Sequence, residues 1–353
     1  MIKVLIVEDS PTMQEMLAYI ISSDPIFKIV GFAADGEEAI EMAIKKQPDV
    51  IAMDWHMPKL NGYEATRRIM ETNPTPIVIV TGSSTATDVK VSFSLIEAGA
   101  LAIVKKPNAI NHPEYKKDAN EIIQTLKLMS EVKLVRRIAR VSKEQILATP
   151  ATTKTIKTES EIKIIVIGAS TGGPLVLQKI LMGLPQNFPL PILIVQHISQ
   201  GFTKGFTEWL SNTTKFPLHI AEHGEYPLPG HGYIAPDGFH MGIEGGPRII
   251  LSEHAPENGL RPSVSYLFRT AAIQFGSAAV GVILSGMGQD GAEELKLMKD
   301  NGAVTFAQNK ESSVVHGMPG VAIKLDAATY IFSPEEIALS LGNLMKRMDG
   351  GSS

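Results

Sequence analysis

The stretch Ile162–Pro174, IKIIVIGASTGGP, indicates how the second half of this 353-residue chain is built. Within it, Ile164–Ile167 is an apolar, β-branched run that ends at a glycine, which is typical of a buried strand. Ser170 and Thr171 then lie among glycines, and Pro174 suits the first turn of a following helix. A serine at such a turn is well placed as a nucleophile, because the free N–H groups of the helix can stabilise an oxyanion.

The same turn allows a second interpretation, a cradle for a phosphate group. Glycines at a strand-to-helix turn suit a phosphate that is bound by helix N–H groups. The spacing of the glycines is not GxGxxG, however, and no GK[ST] follows them. We therefore favour a nucleophile over a phosphate site at this position.

Length, composition and charge are those of an ordinary globular chain and exclude several classes of protein. The chain is long enough for two domains, is 44% hydrophobic and carries a net charge of -4, which argues against a dedicated nucleic-acid binder. Because there is no cysteine, disulfides, thiol chemistry and cysteine-based zinc sites are excluded. The N-terminal MIKVLIVEDS does not resemble a signal peptide, and no apolar run approaches the roughly 18 residues that cross a membrane. We expect a cytoplasmic protein without membrane insertion.

Residues 1–125 alternate strand-like apolar runs with helical patterns. This alternation predicts an α/β domain with a five-stranded parallel sheet covered on both faces. The predicted strands are Lys3–Val7, Lys28–Phe32, Val50–Met53, Ile77–Val80 and Leu101–Val104. Ligands of such folds bind at the carboxyl ends of the strands.

Polar residues follow four of these five strands. Glu8 and Asp9 follow the first strand, Asp54 the third, Thr81 the fourth and Lys106 the fifth. Three carboxylates at one sheet edge would repel each other without a cation, and oxygen-only ligands suit Mg²⁺. A lysine and a hydroxyl group facing them would complete a site for a phosphoryl group on one carboxylate.

The motifs VEDS, MDWHMP, VTG and KKP resemble those of response-regulator receiver domains of two-component signalling. The resemblance implies a flavodoxin-like fold, with Asp54 as the phosphoacceptor and with Thr81 and Lys106 binding the phosphoryl group. It also implies a Mg²⁺ site formed by Glu8, Asp9, Asp54 and the backbone carbonyl of His56.

Residues 126–160 are predicted to be an interdomain linker, and residues 348–353 a disordered tail. The linker contains the basic run KLVRRIARVSKEQ and the threonine-rich run ATPATTKTIKTES, which has no periodicity. A solvated tether and a docking face for an acidic partner both remain open.

Residues 161–347 form the second predicted domain, again doubly wound α/β with a largely parallel sheet. After the strand in the opening stretch, the predicted elements are strands at Ile192–Val195, Ile249–Leu251 and Val280–Leu284 and helices at Val264–Gln274 and Glu293–Asp300.

Three polar residues of this domain, Ser170, His197 and Asp290, each follow a predicted strand. Serine is a weak nucleophile unless a base takes its proton, and a carboxylate holds such a base in the required tautomer. The three therefore form a candidate catalytic triad. GASTG also matches the GxSxG pattern of α/β-hydrolases, in which the acid precedes the histidine, so Ser170, Asp290 and His316 are an alternative triad.

The motifs GASTGGP, VQHISQGFT, GYIAPDGFHM, RPSVSYLF, SGMGQDGA and AQNKESSVVHGMPG resemble the CheB family of chemotaxis protein-glutamate methylesterases. With the receiver-like half in front, the resemblance covers nearly the whole chain. It implies that the triad is Ser170, His197 and Asp290. It further implies that backbone N–H groups around Thr171 and Met287 stabilise the oxyanion.

The two resemblances together imply a phosphorylation-activated serine esterase. Its substrates would be glutamate methyl esters on chemoreceptors, which are demethylated with release of methanol, and specific receptor glutamines, which are deamidated. A sensor histidine kinase of the CheA type would transfer a phosphoryl group to Asp54, and the unphosphorylated receiver would cover the catalytic cleft. Mg²⁺ is the only implied cofactor, and the expected oligomeric state is a monomer.

Two other functions were weighed against this one. A receiver joined to a nucleic-acid-binding output requires a basic second half with a compact helix-turn-helix, and the sequence shows neither. An esterase that serves a sensory system other than chemotaxis, with a different methylated protein, stays open.

Overall fold

The structure is a computed structural model that describes residues 1–82, 93–132, 134 and 161–346. Most of the predicted linker and the whole predicted tail lie outside these residues. The chain divides into two compact units, Met1–Ala148 and Thr149–Ser353. Among the described residues, none of the helices combines the length and the apolar character that a membrane crossing requires.

The first unit alternates strands and helices along the chain. Its elements are β1 (Ile2–Val7), α1 (Pro11–Ser22), β2 (Phe27–Ala33), α2 (Gly36–Lys46), β3 (Val50–Met53), α3 (Gly62–Thr72), β4 (Ile77–Thr81), the described part of α4 (residues 93–98), β5 (Ala102–Lys105) and α5 (Tyr115–Ser130). The strands form one sheet in the order β2-β1-β3-β4-β5, with every neighbouring pair parallel. The predicted five-stranded parallel sheet is thus confirmed.

The central strands of this sheet bring the predicted acidic residues to one edge. Four consecutive residues of β1, Val4 to Val7, are fully buried, as expected for a strand covered by helices on both faces. Val7 pairs with Met53 of β3, and the backbone N–H of Asp54 donates to the carbonyl of Val7 at 2.8 Å. The residues that follow these two strands therefore lie side by side.

The second unit has more strands than the sequence predicted. Its elements are β6 (Ile164–Ala169), α6 (Gly173–Gly183), β7 (Ile192–Gln196), α7 (Thr203–Thr214), β8 (Leu218–Ile220), β9 (Gly232–Ile234), β10 (His240–Glu244), β11 (Arg248–Ser252), α8 (Val264–Phe275), a 3-10 turn (Gly276–Ala278), β12 (Ala279–Ile283), α9 (Ala292–Asp300), β13 (Val304–Gln308), α10 (Met318–Lys324), β14 (Tyr330–Phe332) and α11 (Pro334–Lys346). Seven strands form a parallel sheet in the order β14-β13-β12-β6-β7-β9-β8. The predicted doubly wound, largely parallel fold is confirmed.

One predicted strand does not join this sheet. The run Ile249–Leu251 belongs to β11, which pairs antiparallel with β10 in a separate two-stranded sheet. The turn between the two strands contains Gly245 and Gly246, both at positive φ, a conformation that favours glycine. A tight turn of this kind joins antiparallel strands, whereas parallel neighbours need a longer crossover.

The N-terminus of α8 packs closely against β6, and this contact positions part of the site. A Cβ on Gly168 would lie 2.2 Å from Cγ1 of Val264, so only glycine allows the helix to approach the strand this closely. Val264 is the first residue of α8 and is fully buried in the hydrophobic core. The N-terminal N–H groups of α8 are thereby held near the carboxyl ends of β6 and β12.

Candidate active site

Ser170 is the first residue after β6 and lies in the turn that leads into α6. Its backbone N–H donates to the carbonyl of Ser285 at 3.0 Å, and its carbonyl accepts from the N–H of Gly173 at 2.8 Å. Gly172 has φ of +80°, a conformation that side chains other than glycine rarely adopt, so the glycine allows the turn its sharp change of direction. The predicted strand, serine turn and helix are all present.

His197 follows β7, the neighbour of β6 in the sheet. Ala169 and Gln196 are the last paired residues of the two strands, and the N–H of His197 donates to the carbonyl of Ala169 at 2.9 Å. Ser170 and His197 therefore leave adjacent strands at the same level of the sheet. Nε2 of the His197 ring lies 2.9 Å from Oδ2 of Asp290.

Asp290 lies in the turn after β12 and is 2% exposed. Besides His197, its carboxylate accepts hydrogen bonds from the Ser263 hydroxyl at 2.7 Å, from the Val264 N–H at 2.6 Å and from the Ser265 N–H at 3.1 Å. Ser263 to Ser265 form the start of α8, where the helix dipole also favours a negative charge.

Burial disfavours the ionised form of Asp290, but its partners outweigh that effect. The hydrogen bond and charge of His197, followed by the bonds from Ser263 and Val264, hold the pKa of the carboxyl well below its usual range. Hydrogen bonds to a charged group contribute about 1.5–3 kcal/mol each, so a set of four can offset the several kcal/mol lost on desolvation. Asp290 is therefore a permanent anion at neutral pH.

The alternative triad, in which His316 replaces His197, finds no support in these contacts. The carboxylate of Asp290 binds His197, whereas Nδ1 of His316 lies 3.3 Å from the Ser313 hydroxyl. His316 bridges to Gly286 through the backbone, beside the nucleophile turn. Burial, together with the charge of Lys310, lowers the pKa of His316, so the ring is neutral at physiological pH.

The two predicted oxyanion residues lie in loops that contact Ser170. The Ser285 hydroxyl donates to the carbonyl of Thr171 at 2.7 Å. A Cβ on Gly286, the residue before Met287, would lie only 2.6 Å from Cβ of Ser170. Within the described parts of the chain, the N–H groups of Thr171 and Met287 donate to no protein acceptor. Both N–H groups are thus available to an oxyanion.

The predicted receiver site also assembles at strand ends. Oxygen atoms of Glu8, Asp9 and Asp54 lie within 4.8 Å of one another. Nζ of Lys106 is 2.7 Å from Oε2 of Glu8 and 2.7 Å from Oδ2 of Asp54. Burial and the charge of Asp54 raise the pKa of Glu8, against the lowering effect of Lys106. Two of the three carboxylates, those of Glu8 and Asp54, thus share one ammonium group.

These acidic residues fit a divalent cation. Glu8 is 1% exposed, and its Oε2 makes no hydrogen bond of normal geometry, although the Lys106 ammonium is close to it. A buried carboxylate oxygen with unused lone pairs, next to two further carboxylates, is the donor set that Mg²⁺ prefers. One ammonium balances one of the three carboxylate charges. A divalent cation would balance the two negative charges that remain.

The remaining predicted receiver residues lie around Asp54. The indole N–H of Trp55 donates to the hydroxyl of Thr81 at 3.1 Å, and Thr81 is buried. His56 is exposed, and its ring meets that of Trp55 edge-on at a centroid distance of 4.8 Å. The roles of Thr81 and of the His56 carbonyl in binding phosphoryl and metal stay predictions.

Sequence reasoning did not assign roles to the side chains that support the triad. Ser263 and Gln196 hydrogen-bond the triad residues or their backbone, and Ser285 bonds the nucleophile turn. Only their positions point to such roles: Gln196 directly precedes His197, and Ser285 directly follows the predicted strand Val280–Leu284. A sequence pattern does not show which backbone groups a buried polar side chain reaches.

Comparison with known proteins gives the same two-part division. The family model described as CheB methylesterase matches residues 165–341, and the response regulator receiver domain model matches residues 4–113. The crystal structure of the Thermotoga maritima CheB methylesterase catalytic domain is similar to this chain with a TM-score of 0.51 and 39% sequence identity, covering 53% of this chain and 100% of that chain.

Curated proteins match over almost the full length. A protein-glutamate methylesterase/protein-glutamine glutaminase of Nitrosospira multiformis is 52% identical over 345 residues, which cover 98% of this chain and 97% of that protein. A second, from Syntrophus aciditrophicus, is 51% identical over 346 residues and covers 98% of each chain. On these matches, the chain belongs to the CheB methylesterase family, with a response regulator receiver domain ahead of its methylesterase domain.

Proposed function

We propose that this protein is a serine esterase that hydrolyses glutamate methyl esters on chemoreceptors and that is activated by phosphorylation of Asp54. The observation that carries the esterase proposal is the hydrogen bond between His197 and the permanently charged Asp290, beside a serine on the adjacent strand end. The relatives named as protein-glutamate methylesterases support the choice of ester.

The mechanism follows from which nitrogen of His197 is occupied. Because Asp290 takes Nε2, Nδ1 is the ring nitrogen left to accept the proton of Ser170. The Ser170 Oγ attacks the ester carbonyl, a C–O bond forms, and the oxyanion is held by the N–H groups of Thr171 and Met287. The tetrahedral intermediate then collapses, and methanol leaves with the proton that His197 had taken.

Water completes the cycle. His197 takes a proton from the attacking water, the acyl C–O bond to Ser170 breaks, and the serine recovers its proton. A receptor glutamine can follow the same acyl route, with ammonia instead of methanol as the leaving group. The glutaminase named in the relatives is consistent with this second activity.

The esterase proposal is tested by methanol release from methylated receptor membranes. We expect Ser170→Ala to reduce kcat by about 10⁴-fold or more, since only binding and oxyanion stabilisation would remain. Ser211→Ala is the matched control, because the Ser211 hydroxyl donates to the Phe216 carbonyl at the end of α7 and contacts none of the triad residues. Equal methanol release by wild type and Ser170→Ala would remove Ser170 from the mechanism.

We propose that Asp54 accepts a phosphoryl group from a sensor histidine kinase of the CheA type. Glu8, Asp9, Asp54 and the carbonyl of His56 would hold Mg²⁺, which when bound neutralises charge on the transferring phosphoryl group. Lys106 already contacts Asp54, and the Thr81 hydroxyl lies at the end of the neighbouring strand. These two groups would bind the oxygen atoms of the phosphoryl group.

Incorporation of radioactive phosphate from acetyl phosphate tests this site. We expect labelling of the wild type in the presence of Mg²⁺ and none of Asp54→Asn. Asp49→Asn is the matched control, since Asp49 is an exposed carboxylate that accepts from the N–H of Lys3 outside the acidic cluster. Label that persists in Asp54→Asn would place the phosphoacceptor elsewhere.

Further parts of the proposal concern the location, the oligomeric state and the partners of the enzyme. We propose a cytoplasmic, monomeric protein whose partners are methyl-accepting chemoreceptors and a kinase, without nucleic acid. Light scattering after gel filtration tests the oligomeric state, and a DNA gel shift tests the absence of nucleic-acid binding. Methanol release from receptors of one sensory system and not another identifies the substrate.

A further inference from the structure

Gln196, the last residue of β7, links the backbone of Ser170 to that of His197. Its Nε2 donates to the Ser170 carbonyl at 2.9 Å and to the His197 carbonyl at 2.8 Å. A side-chain amide nitrogen carries two N–H groups, so both of its donors are used by the nucleophile and the base. The side chain is 4% exposed, and water therefore does not compete for these bonds.

The other end of the same amide has no such partner. Oε1 of Gln196 is buried and accepts no hydrogen bond from the described residues. Exchanging the two amide atoms would set one carbonyl oxygen against two others, so the donating orientation is the favourable one.

A glycine at position 173 leaves space for the side-chain amide of Gln196. Gly173 begins α6, and a Cβ there would lie 2.3 Å from Oε1 of Gln196 and 2.8 Å from Cβ of Ala169. A larger residue at this position would therefore displace the amide.

We propose that Gln196 is a positioning residue that fixes the geometry between the nucleophile and the general base. The last strand pair between β6 and β7 is Ala169 with Gln196, and the backbone bond from His197 to Ala169 ends the regular ladder. Beyond this strand pair, the Gln196 amide joins the two segments, because it donates to the carbonyls of both Ser170 and His197. The inference rests on the proposed function, because it assigns Gln196 a role in the same reaction.

The geometry of attack is sensitive to small displacements. An error of about 1 Å in the placement of a reacting group can cost on the order of 100-fold in rate. Loss of the Gln196 bonds releases the Ser170 and His197 carbonyls from their shared donor, while the bond from the His197 N–H to the Ala169 carbonyl remains. Gln196 is almost fully buried and so offers little surface to a substrate, which is why we expect the effect in kcat rather than in KM.

The test compares Gln196→Met with Thr305→Val in the full-length protein. Methionine keeps the length of the side chain and removes both donors. Thr305 is a fully buried residue of β13 whose hydroxyl donates to the Ala327 carbonyl at 2.6 Å, so its replacement by valine removes a buried hydrogen bond of the same sheet without touching the triad. Thermal unfolding of both variants measures the structural cost alone.

Two readouts separate positioning from stability. We expect Gln196→Met to lower kcat for methanol release by about 10–100-fold with little change in KM, and Thr305→Val to leave both constants unchanged. The rate at which phenylmethylsulfonyl fluoride modifies Ser170 should fall in parallel in Gln196→Met. Gly173→Ala, which displaces the amide without removing it, should show the same pattern if Gln196→Met does not fold.

The outcomes distinguish this inference from the proposed function. If the wild type releases methanol and the Gln196 and Gly173 variants lose no more kcat than Thr305→Val, the positioning role is overturned and the esterase stands. If the wild type releases no methanol but reacts with the sulfonyl fluoride faster than Gln196→Met, the positioning role stands and the ester is wrong.

Discussion

The two sites of this protein lie at the carboxyl ends of parallel strands, but they treat their carboxylates in opposite ways. In the first unit, three acids lie together, a single lysine contacts two of them, and the pKa of Glu8 is raised by burial and by Asp54. In the second, Asp290 is just as buried, yet His197 and the start of α8 hold its pKa far below the usual range. The number of donors around each carboxylate makes the difference.

This contrast separates a site with unbalanced carboxylate charge from one whose carboxylate has a complete set of donors. A carboxylate with a complete set of donors is a fixed charge that can orient a histidine. Carboxylates with too few donors remain ready for a cation and for a change of charge on one of them. We therefore assign catalysis to the carboxyl-end edge of the second sheet and switching to that of the first as proposals.

Asp290→Asn should have the largest effect on the catalytic side of this comparison. The amide cannot provide the charge that orients His197, so we expect kcat for methanol release to fall by about 10³–10⁴-fold. Steady-state kinetics with methylated receptor membranes measures this. Asp326→Asn is the control, because Asp326 is an exposed carboxylate paired with Lys299 away from the triad. Loss of less than about 10-fold would mean that His197 does not depend on Asp290.

Glu8→Gln should weaken Mg²⁺ binding by about 10–100-fold, because one of three ligand charges is lost. Calorimetric titration of the full-length protein with Mg²⁺ measures the affinity, and Asp49→Asn should bind as the wild type does. An unchanged affinity in Glu8→Gln would exclude Glu8 as a ligand.

In the metal-free protein, we expect Glu8→Gln and Asp290→Asn to change the free energy of unfolding in opposite directions. Because the folded state raises the pKa of Glu8, the ionised carboxylate destabilises that state at neutral pH, and Glu8→Gln should stabilise the first unit. Asp290→Asn should destabilise the second unit. Urea unfolding followed by Trp55 fluorescence in a Trp209→Phe background, and by Trp209 fluorescence in a Trp55→Phe background, reports each unit. Changes of the same sign would contradict the account of the two sites.

The smallest expected effect is the pH dependence of the free energy of unfolding that Asp290 contributes. Its folded pKa lies below the unfolded value of about 3.9, so the stabilisation is fully present above that value and is lost as pH falls through the folded pKa. The stability difference between wild type and Asp290→Asn should therefore shrink as the pH falls below about 4. A difference that grows on acidification would mean that the carboxyl is protonated in the folded protein.

Long apolar runs and the polar residues that end them were predictable from the sequence. Runs such as Lys3–Val7 and Ile164–Ile167 are local signals, and the residues after them reach a common edge because parallel strands share one direction. The structure accordingly brings Glu8 to Asp54 and His197 to Asp290. The catalytic roles themselves remain predictions.

What the sequence did not predict depends on short elements and on tertiary contacts. β8, β9 and β14 have three residues each, too few for a periodic pattern. The antiparallel pairing of β11 depends on the turn with Gly245 and Gly246, and the apolar pattern of the strand itself does not show its partner or direction. The partners of buried polar groups, such as the bonds from Gln196, exist only after the strands are aligned.

The most direct test of control of the esterase by Asp54 compares methanol release with and without acetyl phosphate and Mg²⁺. Wild type and Asp54→Ala would be measured side by side on the same methylated receptor membranes. We expect the phosphodonor to raise the rate of methanol release by the wild type several-fold and to leave the rate of Asp54→Ala unchanged. Equal stimulation of both proteins, or of neither, would contradict control of the serine site by the acidic site.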